Sequence, residues 1–374
     1  MNADSLNIMT KENNTLAIAP QRILVIAMRY LGDLMLSTPL LHTLRMAYPD
    51  ATIDVLTYRN NAGLLEGNRD VDNVIETIQH QSWAEFGYLL KRIFQHYDLA
   101  ITLEINNRRY FYARLAAKNV IGFVPQKHNK GHWKKHLLTA SVEFDNDYTH
   151  TILEIAKLGD LLGIPAQLQQ VAPYTDHKID VPDLTDNPYV VLHTHPQWRY
   201  KRWPVTNWIL IAEFLIAKGY IVILSGGPDR KEQAYIEEIF QPVQIKSKRI
   251  VNLAGQLSLA QLAKLLASAK LFIGPDTGIT HLAAATGSPM IALFGPTNPV
   301  KWAPWPLAYT ERKNPFQKKG DQTINNVTLL QWPEDCVPCQ NEGCDLNRES
   351  DSRCLLDLPV SHVVLHIKKL LNLK

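Results

Sequence analysis

Apolar positions along this chain follow two rhythms. Short, almost wholly apolar runs alternate with longer stretches in which apolar residues recur at helical spacing. The first run, RILVIAM (22–28), predicts a strand buried on both faces, as in a parallel sheet. The stretch after it places Leu34, Leu41, Leu44 and Tyr48 near one helical face. TIDVLT (52–57), NVIETI (73–78), DLAITL (98–103) and NVIGFV (119–124) repeat the strand signal, with helices predicted over 83–96 and 108–117. Strand–helix–strand alternation of this kind predicts a doubly wound sheet.

Residues 125–147 are irregular and basic, and a helix follows at 148–163, with Ile152, Ile155, Leu158 and Leu162 at helical spacing. From about 165 to 188 the chain is polar and Pro-rich, which predicts a linker. A second series then begins. Its strands are YVVLHTH (189–195), YIVILSG (220–226), IVNLAG (250–255), KLFIG (270–274) and PMIALFG (289–295). Helices are expected at 206–218, 229–240, 258–268 and 278–286, and the closing VSHVVLHIKKLLNLK is an amphipathic helix. The fold class is therefore α/β: two Rossmann-like domains facing a cleft, with ligands off the carboxyl ends of the strands.

Composition narrows this picture. A chain of 374 residues, 46% apolar and 20% charged, has room for two cores. A net charge of +3 makes nucleic acid an unexpected partner. No apolar run reaches the roughly 18–20 residues of a membrane span. The N-terminal residues 1–21 are polar, lack a charged-then-apolar signal design, and predict a disordered tail. These features favour the cytoplasm. The cysteines Cys336, Cys339, Cys344 and Cys354 form C-x2-C-x4-C-x9-C, a spacing that fits no common zinc finger. Local packing and a structural zinc ion are both open readings, and neither is catalytic.

The chemistry concentrates at strand ends. In LFIGPDTGITHLAAATGSPMIALFGPTNP (271–299), a strand meets a turn carrying Asp276, Thr277 and Gly278 at the start of a helix. Free N–H groups and the positive helix end there suit a phosphate. Asp276 reads either as a helix cap or as a ligand-site carboxylate, and His281 lies one turn on. Gly295, Pro296 and Thr297 leave the next strand, either lining the same crevice or forming an ordinary turn. HPQWRYKRWP (195–204) brings Arg199, Lys201 and Arg202 to that crevice, where a cation can neutralise a departing diphosphate; Lys201 is the first choice. No acidic cluster forms an obvious magnesium site, so no metal or cofactor is expected.

In the first half, RYLGD places Gly32 and Asp33 between strand and helix. Thr38-Pro39 offers a competing helix start, which would leave Asp33 in a loop or irregular turn. A carboxylate there can accept a hydroxyl proton, although a nearby helix N-terminus lowers its pKa. Arg108 and Arg109, with Lys127, Lys130, Lys134 and Lys135 in QKHNKGHWKKH (126–136), form a basic region. It reads as a solvated loop, as a contact for an anionic acceptor, or as a contact for an anionic membrane face.

Four motifs together, RYLGD, KRWP, GPDTGITHLAAA and FGPTNP, resemble the bacterial lipopolysaccharide heptosyltransferases of glycosyltransferase family nine. The resemblance runs from Arg22 to the C-terminus, includes the cysteine pattern, and looks closest to the heptosyltransferase III-like branch. It implies a GT-B fold with an acceptor-binding domain over 22–177 and a nucleotide-sugar domain over 178–358. Residues 359–374 would form a helix packing back towards the first domain. It implies inverting, metal-independent transfer from ADP-heptose to the lipopolysaccharide core, at the inner face of the inner membrane. Asp33 matches the family's general base and Lys201 the lysine that meets the phosphates. Asp276, Thr277, Gly278 and His281 match its donor motif. The residue before KRWP is often acidic in the family; here it is Tyr200. Other readings are a GT-B transferase or epimerase for another nucleotide-sugar, and a two-domain solute-binding protein.

Overall fold

The structure is a computed structural model that describes residues 16, 18–127, 129–179 and 187–374. The chain divides into two compact units, Met1–Val171 and Ala172–Lys374.

In the first unit the elements run β1 (Arg22–Ile26), α1 (Leu31–Ala47), β2 (Thr52–Tyr58), α2 (Arg59–Ala62), β3 (Asn73–Thr77) and α3 (Trp83–Ile93). β4 (Tyr97–Thr102), α4 (Asn107–Ala116), β5 (Ala117–Val124), β6 (Ala140–Glu143) and α5 (Thr151–Asp160) follow. The sheet order is β3-β2-β1-β4-β5-β6 and every pairing is parallel. Strand order reverses between β1 and β4. Ile26 pairs with both Leu56 and Thr102, so these strands end level and the loops after β1 and β4 leave side by side. A crevice at such a reversal is where doubly wound sheets take ligands. The edge strand β6 escaped the sequence reading because ASVE is only half-buried and barely apolar.

The second unit repeats the plan. Its elements are β7 (Tyr189–His193), α6 (Val205–Ala217), β8 (Ile221–Ser225), α7 (Arg230–Lys246), β9 (Ile250–Asn252) and α8 (Leu259–Ser268). β10 (Leu271–Pro275), α9 (Gly278–Thr286), β11 (Met290–Phe294), α10 (Pro299–Trp302), β12 (Gln322–Ile324), β13 (Val327–Gln331), α11 (Arg353–Leu356) and α12 (Val360–Leu370) complete it. The sheet order is β12-β13-β11-β10-β7-β8-β9, parallel except for β12. Setting aside that edge strand, the order matches the first sheet, and the reversal falls between β7 and β10.

Some boundaries differ from expectation for physical reasons. Helix α1 begins at Leu31, and Pro39 lies inside it rather than at its start. Proline cannot donate to the Met35 carbonyl one turn back, and the Thr38 hydroxyl bonds that carbonyl at 2.9 Å instead. Helix α7 runs through Pro242, because Ile236, Ile239 and Val243 form a buried stripe that offsets the lost bond. Val363 and Ile367 of α12 belong to the core of the C-terminal unit, where α12 packs on α6.

The predicted linker is tied down at several points over 167–177. Gln167 N and Val171 N donate to Thr43 Oγ1 and Thr38 Oγ1 of α1, at 2.9 and 3.0 Å. Lys264 of α8 donates to the carbonyls of Asp176 and His177. Of the expected tail, residues 1–15 and 17 lie outside the described residues, as do linker residues 180–186. Leu16 is buried, its amide bonded to Leu161 O at 2.7 Å. No helix among the described residues is long and apolar enough to cross a membrane.

Candidate active site

In the C-terminal unit the site begins with an anchor. Trp203 is fully buried, packs edge-on against Trp208 at 5.0 Å, and donates Nε1–H to Leu358 O at 3.0 Å. Pro204 then caps α6. These contacts fix the short turn Arg199–Lys201 just ahead of them.

The two cations of that turn and Arg202 just after it have different fates. Arg199 makes a two-pronged pair with Asp351, at 3.0 and 2.7 Å. Arg202 donates to His195 Nε2 at 2.7 Å and lies over the Tyr235 ring. Lys201 turns to Asp276, with Nζ 2.5 Å from Oδ2. The same oxygen accepts the Thr297 hydroxyl at 2.7 Å. One carboxylate thus joins the loops after β7, β10 and β11. Burial pushes the Asp276 pKa up, but the Lys201 charge and the bonds from Lys201 and Thr297 outweigh it, and the carboxyl stays ionised below its ordinary range.

Asp276 is not the helix cap. That role falls to Thr277, whose hydroxyl accepts from Thr280 N at 3.4 Å. Thr277 and Gly278 are the partly exposed residues of the turn, at the positive end of α9. His281 is 4% exposed, its Nδ1 has no hydrogen-bond partner, and burial depresses its pKa to about 4, so the ring is neutral. Thr194, just past β7, is likewise fully buried with an unpartnered hydroxyl. Unmet polar atoms at a strand-order reversal are what a polar ligand satisfies.

The loop after β11 divides its roles. A Cβ on Gly295 would meet Leu355 atoms at 2.8 and 2.9 Å and Cys354 Sγ at 3.3 Å, so packing alone requires glycine there. Pro296 is buried and its carbonyl accepts Gln340 N at 2.8 Å. Thr297 is the partly exposed member. The cysteine segment therefore packs beneath the loop after β11. Burial, with the other three cysteines adding to it, pushes the Cys354 thiol up to about 12.

In the N-terminal unit, Gly32 and Asp33 occupy the first turn of α1, and Asp33 Oδ1 lies 3.1 Å from Arg29 Nη1. The sequence offered no sign of Glu104, past the end of β4. This buried carboxylate accepts Met28 N at 2.7 Å and pairs with Arg109 Nε at 2.9 Å. Arg109 Nη2 donates to Met28 O at 2.6 Å and to the Tyr58 hydroxyl at 2.9 Å. Both backbone groups of Met28 are gripped, which sets the path of the chain into Arg29 and Asp33. Burial raises the Glu104 pKa, while Arg109 and Arg29 oppose the rise.

Residues 88–329 match the profile of glycosyltransferase family 9 (heptosyltransferase). The chain belongs to that family. It is 30% identical over 295 residues to lipopolysaccharide heptosyltransferase 3 of Escherichia coli, covering 74% of this chain and 84% of that one. Lipooligosaccharide heptosyltransferase 2 of Haemophilus influenzae is 29% identical over 303 residues, with the same coverages of 74% and 84%. Among solved structures, E. coli ADP-heptose lipopolysaccharide heptosyltransferase II superposes with a TM-score of 0.69 at 22% identity, over 94% of this chain and 98% of that one. E. coli heptosyltransferase WaaC with ADP gives 0.68 at 18% identity, over 93% and 99%. These likenesses show that the α/β fold is of the heptosyltransferase GT-B type.

In this family 9 glycosyltransferase the expected acceptor-side residues have the following contacts. Arg108 is committed to Tyr112, Gln79 and Gln81, stapling α4 to the segment before α3. Lys134 Nζ lies 5.9 Å from the Tyr110 ring centre, while Lys135 is exposed on the turn His132–Leu137. Tyr200, the departure from the family pattern, has its ring centre 5.9 Å from Lys201 Nζ.

Proposed function

We propose that this glycosyltransferase moves heptose from ADP-heptose to a sugar of the lipopolysaccharide inner core. Transfer proceeds with inversion and without a metal in the chemical step. The observation that carries the reading is the Asp276 carboxylate, which gathers Lys201 and Thr297 beside the N-terminus of α9 in a chain of the heptosyltransferase family. Lys201 and the α9 amides supply positive potential for the leaving diphosphate. In the N-terminal unit Asp33 accepts the proton of the attacking hydroxyl as its oxygen bonds the anomeric carbon and the bond to the diphosphate breaks. A WaaC structure containing ADP supports the choice of nucleotide, and two E. coli relatives named heptosyltransferase 3 support that branch.

The same reading puts the enzyme at the inner face of the inner membrane. Trp83, Tyr88 and Phe111 are exposed on α3 and α4, beside Lys91 and Arg92. Trp133 is exposed between His132 and Lys134 in the basic turn. Aromatic and basic side chains presented together suit an anionic lipid surface.

Ligand protection tests the donor. ADP-heptose is expected to raise the thermal unfolding midpoint while UDP-sugars leave it unchanged. Protection by a UDP-sugar and none by ADP-heptose would assign the site to another nucleotide-sugar.

A further inference from the structure

Away from the loops that hold Lys201 and Asp276, a second cluster of ligating groups converges in the C-terminal unit. Asp321, His362 and His366 place one ligand atom each within 4.8 Å of one another, the one such group of three among the described residues. The histidines are four apart on α12 and so share a face, with ring centres 5.2 Å apart. His362 Nε2 is 2.6 Å from Asp321 Oδ2, and His366 Nε2 is 3.5 Å from the same oxygen. The other oxygen, Oδ1, accepts Gln331 N at 2.9 Å, which fixes the plane of the carboxylate. The Trp332 ring packs edge-on against His362 at 5.5 Å.

Two imidazole Nε2 atoms aimed at one oriented carboxylate oxygen form three corners of a metal polyhedron. Around a tetrahedral zinc ion, with bonds of 2.0–2.2 Å, neighbouring ligand atoms stand about 3.3 Å apart. The observed 2.6 and 3.5 Å bracket that spacing, so small side-chain rotations are enough to admit an ion. The ligand set also selects the ion. Two nitrogens and one carboxylate suit zinc and its neighbours, whereas magnesium and calcium require mainly oxygen.

We propose that Asp321, His362 and His366 form a structural binding site for a zinc-class divalent ion, distinct from the cysteine segment. The ion clamps the C-terminal helix α12 to the segment entering β12. Gln331, which holds Asp321, also donates its side-chain amide to Gly295 O at 3.4 Å, so the clamp stands one residue from the donor-side loop.

The test uses the full-length chain, free of any histidine tag and stripped with a chelator. Cobalt(II) titration reports the ligands: histidine and carboxylate give weak visible bands, and thiolates add an intense near-ultraviolet charge-transfer band. Zinc addition followed by thermal unfolding reports the clamp. The wild type and a Cys336→Ser/Cys339→Ser variant are expected to bind one cobalt ion each with the visible bands, and both gain a higher midpoint with zinc. His362→Ala/His366→Ala and Asp321→Asn are expected to lose at least tenfold in affinity at this site and most of the zinc-induced shift. His366→Gln serves in place of the double variant if the latter's metal-free midpoint has dropped. Undiminished binding in the histidine variants, or no binding by the wild type at micromolar metal, overturns the proposal.

Discussion

Lys201 Nζ stands 2.5 Å from Asp276 Oδ2, a contact that spans 75 residues of sequence and joins the two strands at which the C-terminal sheet reverses its order. The contact thereby aims the lysine from its own fold. Because the Thr297 hydroxyl shares that oxygen, the position of Lys201 is coupled to the loop after β11.

Lys201→Ala should weaken ADP binding and lower transfer by roughly 10²–10³-fold, the usual loss when one preorganised charge contact to the transition state is removed. Calorimetric ADP titration and initial rates measure both. Unchanged affinity together with unchanged rate would remove Lys201 from the phosphate site.

Asp33→Ala should abolish transfer while leaving ADP affinity within about twofold of wild type, since Asp33 belongs to the N-terminal unit and the donor loops to the other. Wild-type turnover by this variant would end the assignment of Asp33 as base.

Glu104→Ala should destabilise the N-terminal unit by about 3–5 kcal/mol, because it leaves the largely buried Arg109 without its ion partner and the Met28 amide unmet. Glu104→Gln keeps a carbonyl oxygen for Met28 N and should cost less. In that variant the transfer rate should fall with little change in KM for the donor, the pattern of a misplaced Asp33. Chemical denaturation and steady-state kinetics separate the two effects.

Acid should destabilise the C-terminal unit earlier than its carboxylates alone dictate. His193 and His281, both buried, are held at about 4 by desolvation. A histidine depressed in the folded state adds stability that is complete above its unfolded pKa near 6.5 and is lost as pH falls towards 4. Each such group contributes a slope of about 1.4 kcal/mol per pH unit within that window. Thermal midpoints between pH 7.5 and 4.5 should fall, and His281→Asn should flatten the fall. An identical pH profile for that variant would mean that His281 protonates freely in the fold.

Much of this architecture was legible because buried parallel strands leave a plain record. The runs containing β1, β4, β7 and β10 are apolar on both faces, and each ends where a polar turn begins. Strand β13 went unread although fully buried, since VTLLQ is short and follows a long irregular stretch. The site was legible where one motif holds its own geometry, as with Thr277 and Gly278 at the start of α9. It was illegible where a role depends on a distant partner. Glu104 matters only because sheet order lays the end of β4 beside Met28. Gly295 answers to Leu355 and Cys354, some sixty residues later. Arg108 and Arg109 look equivalent in sequence, yet one faces Gln81 and the other Glu104, a difference made by the helix face.

Mass spectrometry of the acceptor reads heptose transfer itself. Purified enzyme, ADP-heptose and a panel of truncated lipopolysaccharide cores are incubated with a chelator present. One core is expected to gain the mass of a single heptose with wild-type enzyme and to gain nothing with Asp33→Ala. No heptose added to any core, or an equal gain with Asp33→Ala, would contradict the proposed transfer.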